Sequence, residues 1–84
     1  MRIEFTDAAY KDYLYWKRTD TRKHERINTL CKAILENPHE GIGKPEPLLY
    51  ELRGCWSRRI DKTNRLVYQM HKERIVIVSC RYHY

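Results

Sequence analysis

No stretch of this chain approaches the roughly 20 consecutive apolar residues that a membrane-spanning helix requires. The opening run Met1-Arg2-Ile3-Glu4-Phe5 has neither an apolar signal core nor a small-residue cleavage site. Membrane insertion and secretion are therefore not expected, and a cytoplasmic location is. Cysteine is sparse: Cys31, Cys55 and Cys80 are an odd set, 24 and 25 residues apart. That spacing fits neither a zinc motif nor a disulfide framework, so buried, inert, reduced thiols are expected. Glycine is equally sparse, at three residues. No glycine-rich phosphate loop, nucleophile elbow or paired-carboxylate motif is present. His24, His39 and His71 lack metal-ligand spacing and read as surface histidines, so no metal and no cofactor are expected. With 84 residues, no internal repeat and no low-complexity tract, the chain reads as one domain, 1–84, with a thin core.

What the sequence does have is positive charge, unevenly spread. Seventeen Lys and Arg against eleven Asp and Glu give +6. Residues 1–50 hold nine basic and eight acidic side chains, net +1, while residues 51–84 hold eight and three, net +5. A positive C-terminal third points to a polyanionic partner, most simply nucleic acid.

Alternation of Ile3 and Phe5 with Arg2 and Glu4 predicts a strand over 1–5. Thr6 or Asp7 can cap a helix over about 7–18, and Asp20 and Thr21 open a second one. In the second helix Ile27, Leu30, Cys31, Ile34 and Leu35 form one apolar face, and Asn37-Pro38 ends it. Residues 37–47 form a loop with two glycines and three prolines. Strand-like runs follow at about 48–52, 55–61, 65–71 and 74–82, joined by short turns. The expected fold is α+β: two N-terminal helices packed on one face of an antiparallel β-sheet.

A sheet covered on one face leaves the other for function. Alternation groups Leu66, Tyr68 and Met70 as core, with Val76, Val78 and Cys80, and leaves Arg65 on the open face. Whether Arg81 or Tyr82 joins it is open. Arginines there can be a solvated surface that blocks edge pairing. The end Arg81-Tyr82-His83-Tyr84 offers two aromatic rings, an imidazole and a guanidinium, which suit base stacking and phosphate pairing. Glu46 stands between Pro45 and Pro47, so its backbone is restrained. An exposed loop glutamate commonly serves solubility alone, but a stiffened carboxylate facing a basic sheet can act as a base. Trp16 and Trp56 read as packing residues.

Several motifs in order resemble the YoeB toxins, of the RelE-like group of bacterial toxin–antitoxin systems. They are Gly43-Lys44-Pro45-Glu46-Pro47-Leu48, Gly54-Cys55-Trp56-Ser57-Arg58-Arg59-Ile60, Arg65-Leu66-Val67-Tyr68 and Cys80-Arg81-Tyr82-His83-Tyr84. The resemblance covers the whole chain. It implies a microbial-ribonuclease-like fold and a metal-independent endoribonuclease that cuts mRNA in the ribosomal A site. It implies Glu46 as general base, His83 as general acid, Arg59 and Arg65 on the scissile phosphate, and Tyr84 orienting the substrate. Lys44 and Arg81 are further candidate phosphate or RNA contacts. The implied partners are a YefM-like antitoxin, the ribosome and mRNA, with a homodimer when the toxin is free. One position departs: where the family commonly has lysine after Pro-Glu-Pro-Leu, this chain has Leu49. A small basic nucleic-acid- or ribosome-binding module without catalysis is the alternative, and Glu46 and His83 separate the two.

Overall fold

The computed structural model describes residues 1–82. The chain runs β1 (Arg2–Phe5), α1 (Asp7–Thr19), α2 (Thr21–Glu36), β2 (Glu46–Pro47), a 3₁₀ turn (Tyr50–Leu52), β3 (Cys55–Arg59), β4 (Arg65–Met70) and β5 (Arg74–Ser79). Thr6 caps α1, its hydroxyl accepting from Ala9 N–H at 3.1 Å. Asp20 serves both helices. Its N–H closes α1 on the Trp16 carbonyl, and its carboxylate accepts from Arg22 and Lys23 N–H to open α2. One residue between the helices folds them into a tight pair. Asn37 is extended (φ −155°) before Pro38, and α2 stops there.

The sheet order is β1-β5-β4-β3-β2. The meander β2 to β5 is antiparallel, as its short turns require, but β1 adds a parallel edge on β5, with Ile3 beside Ile75 and Phe5 beside Ile77. Alternation finds strands but not their partners, so this parallel edge was not legible. Both helices cover one face. Ala9, Trp16, Ile27, Leu30 and Ile34 meet Leu66, Tyr68, Ile75 and Ile77 there.

Two expectations are corrected. In β5 the helix-facing residues are Ile75 and Ile77, not Val76 and Val78. The run Ile-Val-Ile-Val is apolar on both faces, and the register, with an irregularity between Val67 and Tyr68, sets Ile77 opposite Tyr68. Cys80, past the strand end, is buried with them. The run 48–52 is not a strand. Pro45 and Pro47 lack the N–H groups that would extend pairing. The chain turns instead, and Leu48 and Leu52 pack with Cys55, Val67 and Val78 in a second apolar cluster. The face away from the helices is therefore partly covered at its β2 end.

The feature that joins loop to sheet is Arg58. Its side chain points to the helix side of β3 and is fully buried. Nη1 donates to the Ile42 carbonyl at 3.2 Å, Nη2 to those of Glu40 (3.0 Å) and Asn37, and Nε to the Tyr68 hydroxyl at 3.2 Å. Tyr68 in turn donates to the Pro38 carbonyl at 2.6 Å. Gly43 (φ +84°) passes so close that a Cβ there would meet Leu30 at 2.9 Å and Arg58 at 3.1 Å. Replacing Arg58 by Met keeps bulk but strands this set of acceptors. A loss of about 2–4 kcal/mol is expected, read in urea unfolding as a lower midpoint at unchanged slope.

Candidate active site

The site is built where β2, β3 and β4 meet on the face away from the helices. Register sets Arg59 directly opposite Arg65, Ser57 opposite Val67, and Glu46 opposite Ser57. Two guanidiniums facing across a strand pair are unfavourable alone. Glu46 offsets this: its Oε1 accepts from Arg65 Nη1 at 2.7 Å, and the same nitrogen donates to the buried Ser57 hydroxyl at 3.2 Å. The side chain of Arg65 is 17% exposed and that of Glu46 49%. The arginine is thus fixed from beneath while the carboxylate can be reached from solvent. Such an arrangement can hold a phosphate on its guanidiniums and take a proton on its carboxylate.

Arg59 is exposed at the end of β3. Its N–H donates to the Gly43 carbonyl at 2.7 Å, which ties the loop to the strand just before Lys44 and Glu46. Lys44 is exposed in that loop with φ +52°. Arg81 goes elsewhere. Its guanidinium carbon lies 3.5 Å from the Tyr15 ring centroid and 4.5 Å from that of Tyr82. The contacts described for it are thus with aromatic rings, one of them on α1, and do not join it to the Glu46–Arg65 pair. His83 and Tyr84 lie outside the described residues. Leu49, three residues after Glu46, is exposed.

Sequence reasoning missed two residues. Arg58 gave no signal that separates it from its neighbour Arg59. Asn64 did leave one. In the β3–β4 turn, Asp61 accepts from Thr63 and Asn64 N–H at 2.8 and 2.7 Å, the side-chain-to-backbone turn that an aspartate before Thr-Asn favours. Asn64 is buried. Its Oδ1 accepts from Tyr82 N–H at 2.7 Å, while the Tyr82 carbonyl accepts from Arg65 N–H at 3.2 Å. The turn therefore binds the C-terminal segment next to Arg65. Lys23 braces it, pairing with Asp61 at 3.4 Å and Asp20 at 2.9 Å.

His24 is not a surface histidine. Facing α1 from α2, its ring packs on Tyr13 with centroids 4.3 Å apart, and its Nε2 is buried without a hydrogen-bond partner among the described residues. His71 is exposed, and His39, also exposed, packs at a tilt against Trp56, with ring centroids 4.7 Å apart. Trp16 and Trp56 pack against the core, and the Trp16 indole N–H donates to the Cys80 carbonyl at 2.8 Å. The cysteines are free thiols that burial makes poor nucleophiles: it pushes Cys31 up to about 11 and raises Cys55 and Cys80 as well. Among the described residues, no group of three or more His, Cys, Asp or Glu could hold a metal ion, and no helix is long and apolar enough to cross a membrane.

Residues 5–84 match the family model described as YoeB-like toxin of bacterial type II toxin-antitoxin system. The fold is therefore that of a type II toxin. The chain belongs to the YoeB family. It is 50% identical to Toxin YoeB of Streptomyces coelicolor over the full length of both. Among solved structures it superposes on the YoeB/ParE toxin from Agrobacterium tumefaciens with a TM-score of 0.97, at 41% identity over all of both chains. The Staphylococcus aureus YoeB-YefM complex gives 0.91 at 44% identity, covering 98% of this chain and 95% of that one. The Staphylococcus aureus YoeB dimer gives 0.93 at 45%, covering 100% and 98%.

The turn that holds the tail carries a pH dependence. Burial opposes ionisation of Asp61. The N–H bonds from Asn64 and Thr63, the Asn64 amide and Lys23 outweigh it, and hold the carboxyl below the ordinary aspartate range. A folded value below the unfolded one stabilises the fold above that ordinary range, and the stabilisation is lost as pH falls through the folded value. Lys23 is shifted upward by Asp20 and Asp61, so its share is lost only as pH rises into strong alkali. Asp61→Asn should lower the melting temperature at pH 7 and show a shallower further fall below about pH 4. Parallel melting curves against pH for both proteins would remove Asp61 from this role.

Proposed function

We propose that this toxin is a ribosome-dependent endoribonuclease that cleaves mRNA in the ribosomal A site and so inhibits translation. The observation that carries the reading is the 2.7 Å contact between the Glu46 carboxylate and Arg65, with Arg59 opposite Arg65 in register. A carboxylate beside cations suited to phosphate supports reading Glu46 as the base. In this mechanism Glu46 takes the proton of the 2′-hydroxyl, whose oxygen attacks the adjacent phosphorus. Arg65 and Arg59 stabilise the phosphorane as its charge grows. The bond to the 5′-oxygen breaks, and His83 protonates the departing oxygen. Tyr84 orients the substrate. Each step has a side chain, so the chemistry is proposed to need no metal. The products are a 2′,3′-cyclic phosphate and a 5′-hydroxyl.

A YefM-like antitoxin is the proposed partner, supported by the likeness to the YoeB-YefM complex of Staphylococcus aureus, and homodimerisation by the likeness to the YoeB dimer. The proposed location is the cytoplasm, where ribosomes and mRNA are met. The test is primer extension on translated mRNA with added toxin. New ends placed on codons, and only with ribosomes, support the enzyme. Stalling without new ends would mark a module that acts by occupancy.

Glu46→Gln preserves size and removes the base. It is expected to keep ribosome binding while single-turnover cleavage falls by about 10²–10⁴-fold. A 2′-deoxy nucleotide 5′ to the scissile phosphate should block cutting by wild-type toxin. Chelator should leave the chemical step unchanged when ribosomes are kept intact. Cleavage of the deoxy substrate would rule out attack by the RNA's own hydroxyl.

A further inference from the structure

The chain beyond β5 is held residue by residue. Cys80 is fixed by the Trp16 indole and by Asp12, whose carboxylate accepts from its N–H at 3.3 Å. Arg81 is stacked on Tyr15. Tyr82 is then gripped on both sides, its N–H by the Asn64 amide oxygen and its carbonyl by Arg65 N–H. Its φ of +67° is a left-handed conformation that a tyrosine adopts only when surroundings impose it. Asn64 is well placed to do so. It is 7% exposed, and its Nδ2 donates to both Asp61 oxygens at 3.2 Å. That fixes which way the amide faces, and leaves the acceptor oxygen towards Tyr82. Asp61 is itself held by Lys23.

We infer that Asn64 is a positioning residue for the general acid: by fixing Tyr82 beside Arg65, it sets where the next residue, His83, meets the leaving oxygen. The inference rests on the proposed role of His83. Tyr82 and His83 are consecutive, with about 3.8 Å between Cα atoms across a trans peptide, so where Tyr82 is fixed bounds where His83 can reach. Misplacing a catalytic group by about 1 Å can cost about 10²-fold in rate. The loss should fall on one step only. As the new bond from the 2′-oxygen to phosphorus forms and the bond to the 5′-oxygen breaks, Glu46 still receives the hydroxyl proton. The leaving oxygen departs without its own.

The experiment uses full-length toxin on programmed ribosomes, in single turnover, with two mRNAs. One carries the natural linkage at the scissile position. The other has sulfur in place of the 5′-bridging oxygen, and a thiolate leaves without needing a proton. Asn64→Ala should slow the natural mRNA by about 10²-fold and the sulfur-bridged one by less than about threefold. Both rates come from the same folded fraction, so their ratio is unaffected by partial unfolding. Should the alanine variant not fold, Asn64→Ser serves instead. It keeps a polar group near Asp61 but ends one bond short of Tyr82 N–H. Equal slowing of both substrates, or slowing of neither, would overturn the inference. His83→Gln is the reference. If it too is slowed equally on both mRNAs, the assignment of His83 as acid has failed. If it alone is rescued by sulfur, only the role of Asn64 has.

Discussion

A buried guanidinium decides where the candidate site begins. Arg58 is removed from water, and its described contacts hold no carboxylate: three loop carbonyls and the Tyr68 hydroxyl do the work of a counterion. The acceptors sit just past α2, where aligned peptide dipoles already concentrate negative potential. Stranding such a charge is costly, so the loop has one arrangement that satisfies it and many that do not. Residues 37–43 have no strand or helix to define them, and Arg58 supplies the definition. Gly41 and Gly43 are the complement, since a Cβ at either would come to 3.1 Å from the Arg58 side chain. From Gly43 the chain needs only Lys44 and Pro45 to reach Glu46, and Pro45 restricts both its own backbone and that of Lys44.

The two ends of the site thus arrive by separate routes and are registered by the same pair of strands. Glu46 comes in on the loop and joins β3 opposite Ser57. The tail comes in after β5 and is caught at the start of β4 by Asn64 and Arg65. Arg65 takes part in both, with its side chain on the carboxylate and its backbone on the tail. Strands β3 and β4 are interior to the sheet, each paired on both sides, which suits them to carry this. The opposed Arg59 and Arg65 give the surface a standing preference for an anion, which one carboxylate only partly offsets.

The helices were legible because their signals are local: Thr6 and Asp20 as caps, Asn37-Pro38 as a stop, and a period of 3.6 in α2. So were the antiparallel meander and the placing of Arg65 away from the core, which follow from alternation and short turns. What failed needed non-local facts. Ile75-Val76-Ile77-Val78 is apolar on both sides, so its core face is set by register with Tyr68 and by the second cluster that takes up Val78. Arg58 and Arg59 are chemically identical neighbours, and only the loop folding over one of them tells them apart. His24 lies on a helix flank whose exposure depends on how α1 crosses it. The Glu46–Arg65 pairing lay between these cases. Its members were named from the sequence, but their contact depends on a two-residue strand that prolines made hard to see.

Leu49 shows how such a site divides its charge. The family resemblance leads one to expect a lysine there, on the exposed turn that follows Glu46; here the position is apolar, and the turn is held by Leu48 and Leu52 beneath it. A cation on an exposed turn attracts phosphate at a distance, and salt screens that attraction. Arg65 is different in kind, because it is packed against Ser57 and touches the carboxylate. Leucine in place of a lysine therefore removes long-range attraction while leaving the cation that is aligned with the Glu46 carboxylate. In the proposed mechanism, binding in the ground state bears the loss, and the interaction that strengthens as phosphorus gains charge is kept on the strands.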